Sequence, residues 1–298
     1  MQHAYAEING IRMHYVTHGT GEPILFLHGF PEYWGVWKPL LKEFSKDYRV
    51  IAPDLRGYNL TSRPRDVEQY RIQHLVADVR ALAEHLGLRK FTLVAQDWGA
   101  FLGWSFAIRH PEYIRRFVSI DVTHPAIFDR ELKENPYQQK ASQYMLGILN
   151  NPHAAEELVA NDFALPRKLL FEDAIHHGAR LSEEDLAEWL TAWRQPGVFK
   201  AGHQYYQAAR IGPPDGNGFP GGSNLLEDVP QEKWKVNFPV LMLWAEKDPY
   251  LLEDCLRGLE VLAPNLTLHK VPGASHWLTL EKPQEVIQHL RDFFAKKG

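Results

Sequence analysis

The sequence predicts an α/β fold in which a mostly parallel sheet, flanked by helices, is interrupted by a helical insertion. Three observations carry this expectation. Short apolar runs of the kind buried on both faces of a sheet recur at 23–28, 91–96, 116–121 and 239–244. Helical spacings alternate with them at 70–86 and 99–110, a rhythm that implies right-handed crossovers between parallel neighbours. From about 124 to 224 the helical periodicities continue with no buried-type strand. Residues 124–224 are therefore expected to form a helical cap, and residues 1–123 with 225–298 a discontinuous core domain.

Each element has its own signal. Asn9-Gly10, between strand-like residues 5–7 and 11–16, is a strong hairpin turn, so the chain should begin with an antiparallel pair at a sheet edge. The run at 23–28 ends in His28-Gly29-Phe30-Pro31, and loops after parallel strands lie at the carboxyl edge where open α/β sheets bind ligands. Residues 48–52 read as the next strand, and residues 70–86 as a helix closed by Gly87. Within the insertion, helices are expected at 138–149, 154–163, 183–193 and 201–210, followed by a Gly/Pro-rich linker at 212–222. Gly216, Gly218 and Gly221 have the spacing of a dinucleotide-binding loop, but no strand precedes them and no helix follows, so no cofactor is expected there. Strands at 239–244 and 266–271 and helices at 251–262 and 283–294 complete the chain.

Composition narrows the function. At 298 residues and 45% hydrophobic content, the chain can bury one large core, or a core with a smaller insertion. A net charge of −4 with interspersed signs offers no basic stripe for nucleic acid and no polybasic run for a membrane surface, and suggests a substrate of little charge. No apolar run reaches the roughly 18 residues of a membrane span, and the first ten residues lack the basic and apolar regions of a leader. With one cysteine, Cys255, and hence no internal disulfide, the expectation is a cytoplasmic protein.

The chemistry centres on Gln96-Asp97-Trp98-Gly99-Ala100, where a strand meets small residues that open a helix. This junction has the form of a nucleophile elbow. A carboxylate in the exposed position points to displacement at a saturated carbon, which yields an ester, whereas attack on an acyl carbonyl would yield an anhydride. The plainer reading is an Asp that caps the next helix. Asp248 and His276 each follow a later strand and complete the order nucleophile, acid, histidine. His276, after Gly273-Ala274-Ser275, reads as the base, and Asp248 as the group that sets its tautomer and stabilises the imidazolium. Asp121 ends another strand at the same edge and competes for that role; the reading favours Asp248 and leaves Asp121 open. His176 and His177 are adjacent rather than four apart, so they read as surface and not as metal ligands.

With these residues assembled, the chain resembles the α/β-hydrolase superfamily, and within it the epoxide hydrolases, over nearly its whole length. The most specific matches are His28-Gly29-Phe30-Pro31-Glu32 with Trp34 and Trp37 close behind, Gln96-Asp97-Trp98-Gly99, and Ala245-Glu246-Lys247-Asp248. The resemblance implies a hydrolase that converts an epoxide and water to a vicinal diol through a hydroxyalkyl ester on Asp97, with no metal or organic cofactor. It also implies an oxyanion hole from the backbone N–H groups of Phe30 and Trp98, and two tyrosines that hydrogen-bond the epoxide oxygen. Family spacing places these at Tyr144 and Tyr206, with Tyr137 and Tyr205 as the neighbours most easily confused with them. A phenol with a pKa near 10 suits an alkoxide leaving group, whereas a halide needs no proton. Two residues depart from the family pattern: Asn59 stands where a second glycine is usual, and Asp121 where many such enzymes have an uncharged residue. The alternative is a haloalkane dehalogenase, which shares the Asp elbow and the tryptophan after it but often has a halide-binding Asn where this chain has Phe30. A catalytically silent binding protein on the same fold is the third reading.

Overall fold

The computed structural model describes residues 1–296. Among them, eight strands form one sheet in the order β1-β2-β4-β3-β5-β6-β7-β8. These are β1 (Gln2–Ile8), β2 (Ile11–His18), β3 (Pro23–Leu27), β4 (Arg49–Pro53), β5 (Phe91–Gln96), β6 (Ile114–Ile120), β7 (Val240–Ala245) and β8 (Leu266–Val271). β1 and β2 are antiparallel, as are β2 and β4, and every pair from β4 to β8 is parallel. Asn9 and Gly10 both take positive φ (44° and 74°), the tight two-residue turn that matches strand twist. Of the two hairpin strands only β1 lies at an edge; β2 also pairs with β4, so the hairpin reaches one strand deeper into the sheet than the turn signal implies.

The continuous apolar runs are explained by two cores, one on each sheet face. Along β3, Leu25 and Leu27 join the core that contains Val76, Val79 and Leu82, while Ile24 and Phe26 join the one that contains Leu40, Phe44 and Leu290. The helices responsible are α1 (Lys38–Phe44), α2 (Ile72–His85), α3 (Trp98–Arg109) and, at the other end of the chain, α13 (Pro283–Ala295). Alternate residues thus bury against α2 and α3 on one face and against α1 and α13 on the other.

Between β6 and β7 the chain runs through α4 (Pro125–Glu134), α5 (Pro136–Ala141), α6 (Gln143–Asn150), α7 (Ala154–Pro166), α8 (Asp173–His176), α9 (Glu183–Trp193) and α10 (Val198–Ala209). α7 is not one regular helix: Asn161, Asp162 and Phe163 take positive φ, and a π-helical turn, Arg167–Glu172, follows. The helix expected at 251–262 is likewise broken, into a 3-10 turn at Glu253–Leu256 and α11 (Leu259–Leu262), with Gly258 at φ 87° between them. A short α12 (Leu278–Glu281) precedes α13. At four residues it is too short to leave a periodic signal. No helix among the described residues is long and apolar enough to cross a membrane.

Candidate active site

β5, buried along all six residues, delivers the chain to Asp97 at the start of α3. Asp97 sits at φ 48°, ψ −127°, a conformation that costs a non-glycine residue on the order of 1–3 kcal/mol and persists only where the surroundings enforce it. The small neighbours are required because the space is taken. A Cβ on Gly99 would overlap the carbonyls of Leu27 and His28, and one on Gly29 would overlap the Asp97 side chain itself. Asp97 Oδ1 accepts the Phe30 N–H at 2.6 Å. Trp98 is the first residue of α3, so its N–H is among those the helix leaves unpaired, at the end whose dipole favours negative charge.

The loop that presents Phe30 is pinned by buried polar groups. His28 Nε2 accepts the Leu55 N–H at 3.0 Å, and Glu32 accepts the Gly29 N–H at 2.7 Å. Burial pushes the Glu32 carboxyl up to about 8. Asn59 adopts φ 39° and donates to Asp54 at 2.9 Å, so it supplies the left-handed backbone that a glycine would otherwise provide.

His276, in the loop after β8, stands between two carboxylates. Its Nε2 lies 3.4 Å from Asp97 Oδ2 and its Nδ1 2.7 Å from Asp248 Oδ2. Asp248 is fixed in turn by the N–H groups of Tyr250 (2.7 Å) and Leu251 (3.1 Å) on Oδ1. Burial alone would lower the imidazole, but Asp248 and Asp97 outweigh it and hold His276 well above its ordinary value. Asp121 is turned elsewhere: at φ 58°, its Oδ1 accepts the Ala245 N–H, and its Oδ2 is buried without a hydrogen-bond partner among the described residues. Burial, reinforced by the charge of Asp248, raises Asp121 well above the carboxylate range. The two acids at this edge are thus inequivalent, and His276 bonds to Asp248.

Asp97 and His276 open into a cavity of about 390 Å³ that Tyr144 of α6 and Tyr206 of α10 also line. The two phenol rings are 6.2 Å apart at 79°, and Tyr206 stands edge-on to Trp98 at 4.9 Å. Tyr206 is buried, and burial followed by the charge of Asp97 pushes its phenol well above the ordinary value; Tyr144 is 39% exposed, and its phenol is raised beside Tyr206 and Asp97, so both keep their protons at neutral pH. The neighbouring tyrosines are placed differently. Tyr205 is buried with its hydroxyl donating to the Arg56 carbonyl at 2.7 Å, and Tyr137 is 76% exposed.

Some groups around the site carry no motif. Tyr250 packs edge-on against His276 at 5.1 Å, and Glu281 bonds the residues on either side of it. Both follow from loop geometry that local sequence does not encode. His176 is exposed, but His177 is half-buried and faces inward, where Asp173, His177 and Glu281 bring ligand-type atoms within 4.8 Å of one another. The Asp173 and Glu281 carboxyls are both already bonded to Ser275.

Comparison with known proteins places this geometry in a family. A sequence model described as the alpha/beta hydrolase fold matches residues 22–283. "Epoxide hydrolase 1" of Caenorhabditis elegans is 31% identical, with the alignment covering 98% of this chain and 70% of that protein. "Epoxide hydrolase 3" of Xenopus tropicalis is 33% identical over 99% of this chain and 78% of its own length. Among solved structures, the Bacillus megaterium epoxide hydrolase in complex with an inhibitor superposes with a TM-score of 0.90 at 36% identity, covering 98% of this chain and 100% of that one. The chain belongs to the epoxide hydrolases of the alpha/beta hydrolase fold.

Proposed function

We propose that this enzyme hydrolyses a small-molecule epoxide to a vicinal diol in two half-reactions, with Asp97 as nucleophile and residues 124–224 acting as a cap over the core. The observation that carries the reading is the division of labour between the Asp97 oxygens. Oδ1 rests on the Phe30 N–H while Oδ2 faces His276, in a side chain that lines the cavity. Oδ2 attacks an epoxide carbon, the C–O bond to the ring oxygen breaks, and Tyr144 and Tyr206 donate to that oxygen as its charge develops.

The electrostatics make the second half follow from the first. While Asp97 is a carboxylate, His276 is held as the imidazolium by two negative neighbours. The alkoxide, held by the two phenols, takes its proton from solvent, and because ester formation removes one of the negative neighbours, His276 then gives a proton up to solvent. The neutral imidazole, oriented by Asp248, then takes a proton from water, and hydroxide adds to the ester carbonyl. The resulting oxyanion forms on Oδ1, already at the Phe30 N–H and near the start of α3. Such donors commonly supply a few kcal/mol. Collapse expels the diol oxygen, which takes its proton from His276, and Asp97 returns its own proton to the imidazole. The paired phenols suit an oxygen leaving group, which needs a proton donor, and give a halide nothing it requires. A single turnover with excess enzyme in oxygen-18 water tests the reading: the label should enter the Asp97 carboxyl and be absent from the first equivalent of diol. Label in that first diol would instead mean direct attack by water.

A further inference from the structure

Glu281 of α12 is buried, and both its oxygens are engaged with the loop that carries His276. Oε2 accepts the Ser275 N–H at 2.7 Å, and Oε1 accepts the Trp277 N–H at 3.1 Å. These N–H groups belong to the residues immediately before and after His276. The carbonyl of His276 is held from another direction by Nε2 of Gln96, the residue before Asp97, at 3.3 Å. The same loop is tied to the cap. Ser275 Oγ lies 2.5 Å from Glu281 Oε1 and 2.7 Å from Oδ2 of Asp173 in α8, and the Trp277 indole donates to the Leu169 carbonyl at 2.9 Å.

We propose that Glu281 and Asp173 are positioning residues for the water-activating step: Glu281 clamps the backbone on both sides of His276, and Asp173 couples that clamp to the seating of the cap. The inference rests on the reading of His276 as the base. The chemistry of the clamp demands a carboxyl group, because the two peptide donors approach different oxygens. An amide has one acceptor oxygen and an NH₂ group that cannot accept, so glutamine in this place leaves one flanking N–H unpaired. The link to Asp173 has its own bookkeeping. One serine hydroxyl carries one proton, so Ser275 Oγ, within hydrogen-bond distance of Glu281 Oε1 and Asp173 Oδ2, shares a single donor between the clamp and the cap. The contacts thus run from Glu281 through Ser275 Oγ to Asp173. None of them touches Asp97 or the tyrosines, so they should govern ester hydrolysis and leave ester formation alone.

The test is a rapid-quench single turnover with styrene oxide, following the Asp97 ester by intact mass. In Glu281→Gln, ester hydrolysis should slow by about 30-fold while ester formation stays within about threefold, because small misplacements of a catalytic group cost up to two orders of magnitude. The steady state should show kcat and KM falling together as the ester accumulates. Ser275→Ala, which keeps both backbone N–H hydrogen bonds to Glu281 but cuts the link to the cap, should slow hydrolysis by only about threefold. Equal slowing of both steps in Glu281→Gln, or no slowing, overturns the proposal. If Glu281→Gln does not fold, Asp173→Ala on the half-exposed cap residue decides: slower hydrolysis with unchanged formation supports the coupling, and unchanged hydrolysis sinks it. His276→Gln is the control for the underlying reading. No adduct in that variant means that His276 is not the base, whereas an adduct there with normal hydrolysis in Glu281→Gln rejects the clamp alone.

Discussion

The sheet edge and the helical insertion hold their site residues by different means. Asp97 and Asp248 follow strands buried along their whole length, and His276 follows β8, paired residue for residue with β7, so backbone ladders set where all three begin. Tyr144 and Tyr206 project from α6 and α10, which are placed by side-chain packing beside a segment that leaves helical geometry at Asn161–Phe163 and continues as a π-turn. The edge supplies charge chemistry that tolerates little displacement. Under the proposed mechanism the insertion supplies donors and walls, so the shape of the cavity can vary without disturbing Asp97. This contrast predicts that edge substitutions abolish or trap the reaction, while insertion substitutions slow one step of it.

The largest effect should come from Asp97→Ala, which removes the attacking atom; diol formation should fall by about four orders of magnitude or more, and no adduct should form. His276→Gln should instead stop after one equivalent, visible as a mass increase equal to the substrate. A His276 variant that turns over normally would place the base elsewhere.

The two acids sharpen the comparison within the edge itself. Asp248→Asn should lower kcat by about 10³-fold, since it removes the carboxylate that orients Nδ1, whereas Asp121→Asn should cost less than about tenfold because Asp121 bonds to Ala245. The reverse ranking in steady-state assays would transfer the orienting role to Asp121.

For the insertion, Tyr144→Phe and Tyr206→Phe should each slow ester formation by about 10- to 100-fold, and the double variant should nearly stop it. Hydrolysis of ester already formed should be unaffected. Halide release that survives both changes, together with negligible epoxide opening by the wild type, would favour the dehalogenase reading.

The smallest effects concern stability. Leu93→Ala in β5, fully buried, should cost about 3 kcal/mol in denaturant titrations, and Leu169→Ala in the insertion, 42% exposed, less than about 1 kcal/mol. Burial pushes His203 of α10 down to about 4. The unfolded chain therefore binds this proton first, and stability should be lost as pH falls from about 6.5 through 4. His203→Gln should flatten that loss; an unchanged pH profile would show that His203 does not contribute to it.

Much of the molecule can be read locally because its signals are short-range. Runs buried on both faces, the Asn9-Gly10 turn and the small residues around Asp97 all answer to sterics within a few positions. The same locality explains where the reading stops. Asn161 and Asp162 tolerate left-handed backbone, but the helical spacing of 154–163 masks the break there, as the spacing of 251–262 hides the one at Gly258. Tertiary packing imposes both.

By itself, then, the sequence determined the order of strands and helices, the elbow at Asp97, and the sheet edge at which Asp248 and His276 emerge, since strand ends and turn chemistry are written in neighbouring residues. Only the tertiary structure decided which carboxyl group meets His276. Asp121 and Asp248 end adjacent parallel strands, and no local pattern says which side chain turns toward the imidazole and which toward the Ala245 N–H. It likewise decided which tyrosines face the cavity, because Tyr205 and Tyr206 differ by one helical step of about 100°, and the packing of α10 on the core turns one hydroxyl to the Arg56 carbonyl and sets the other residue on the wall of the cavity that Asp97 also lines.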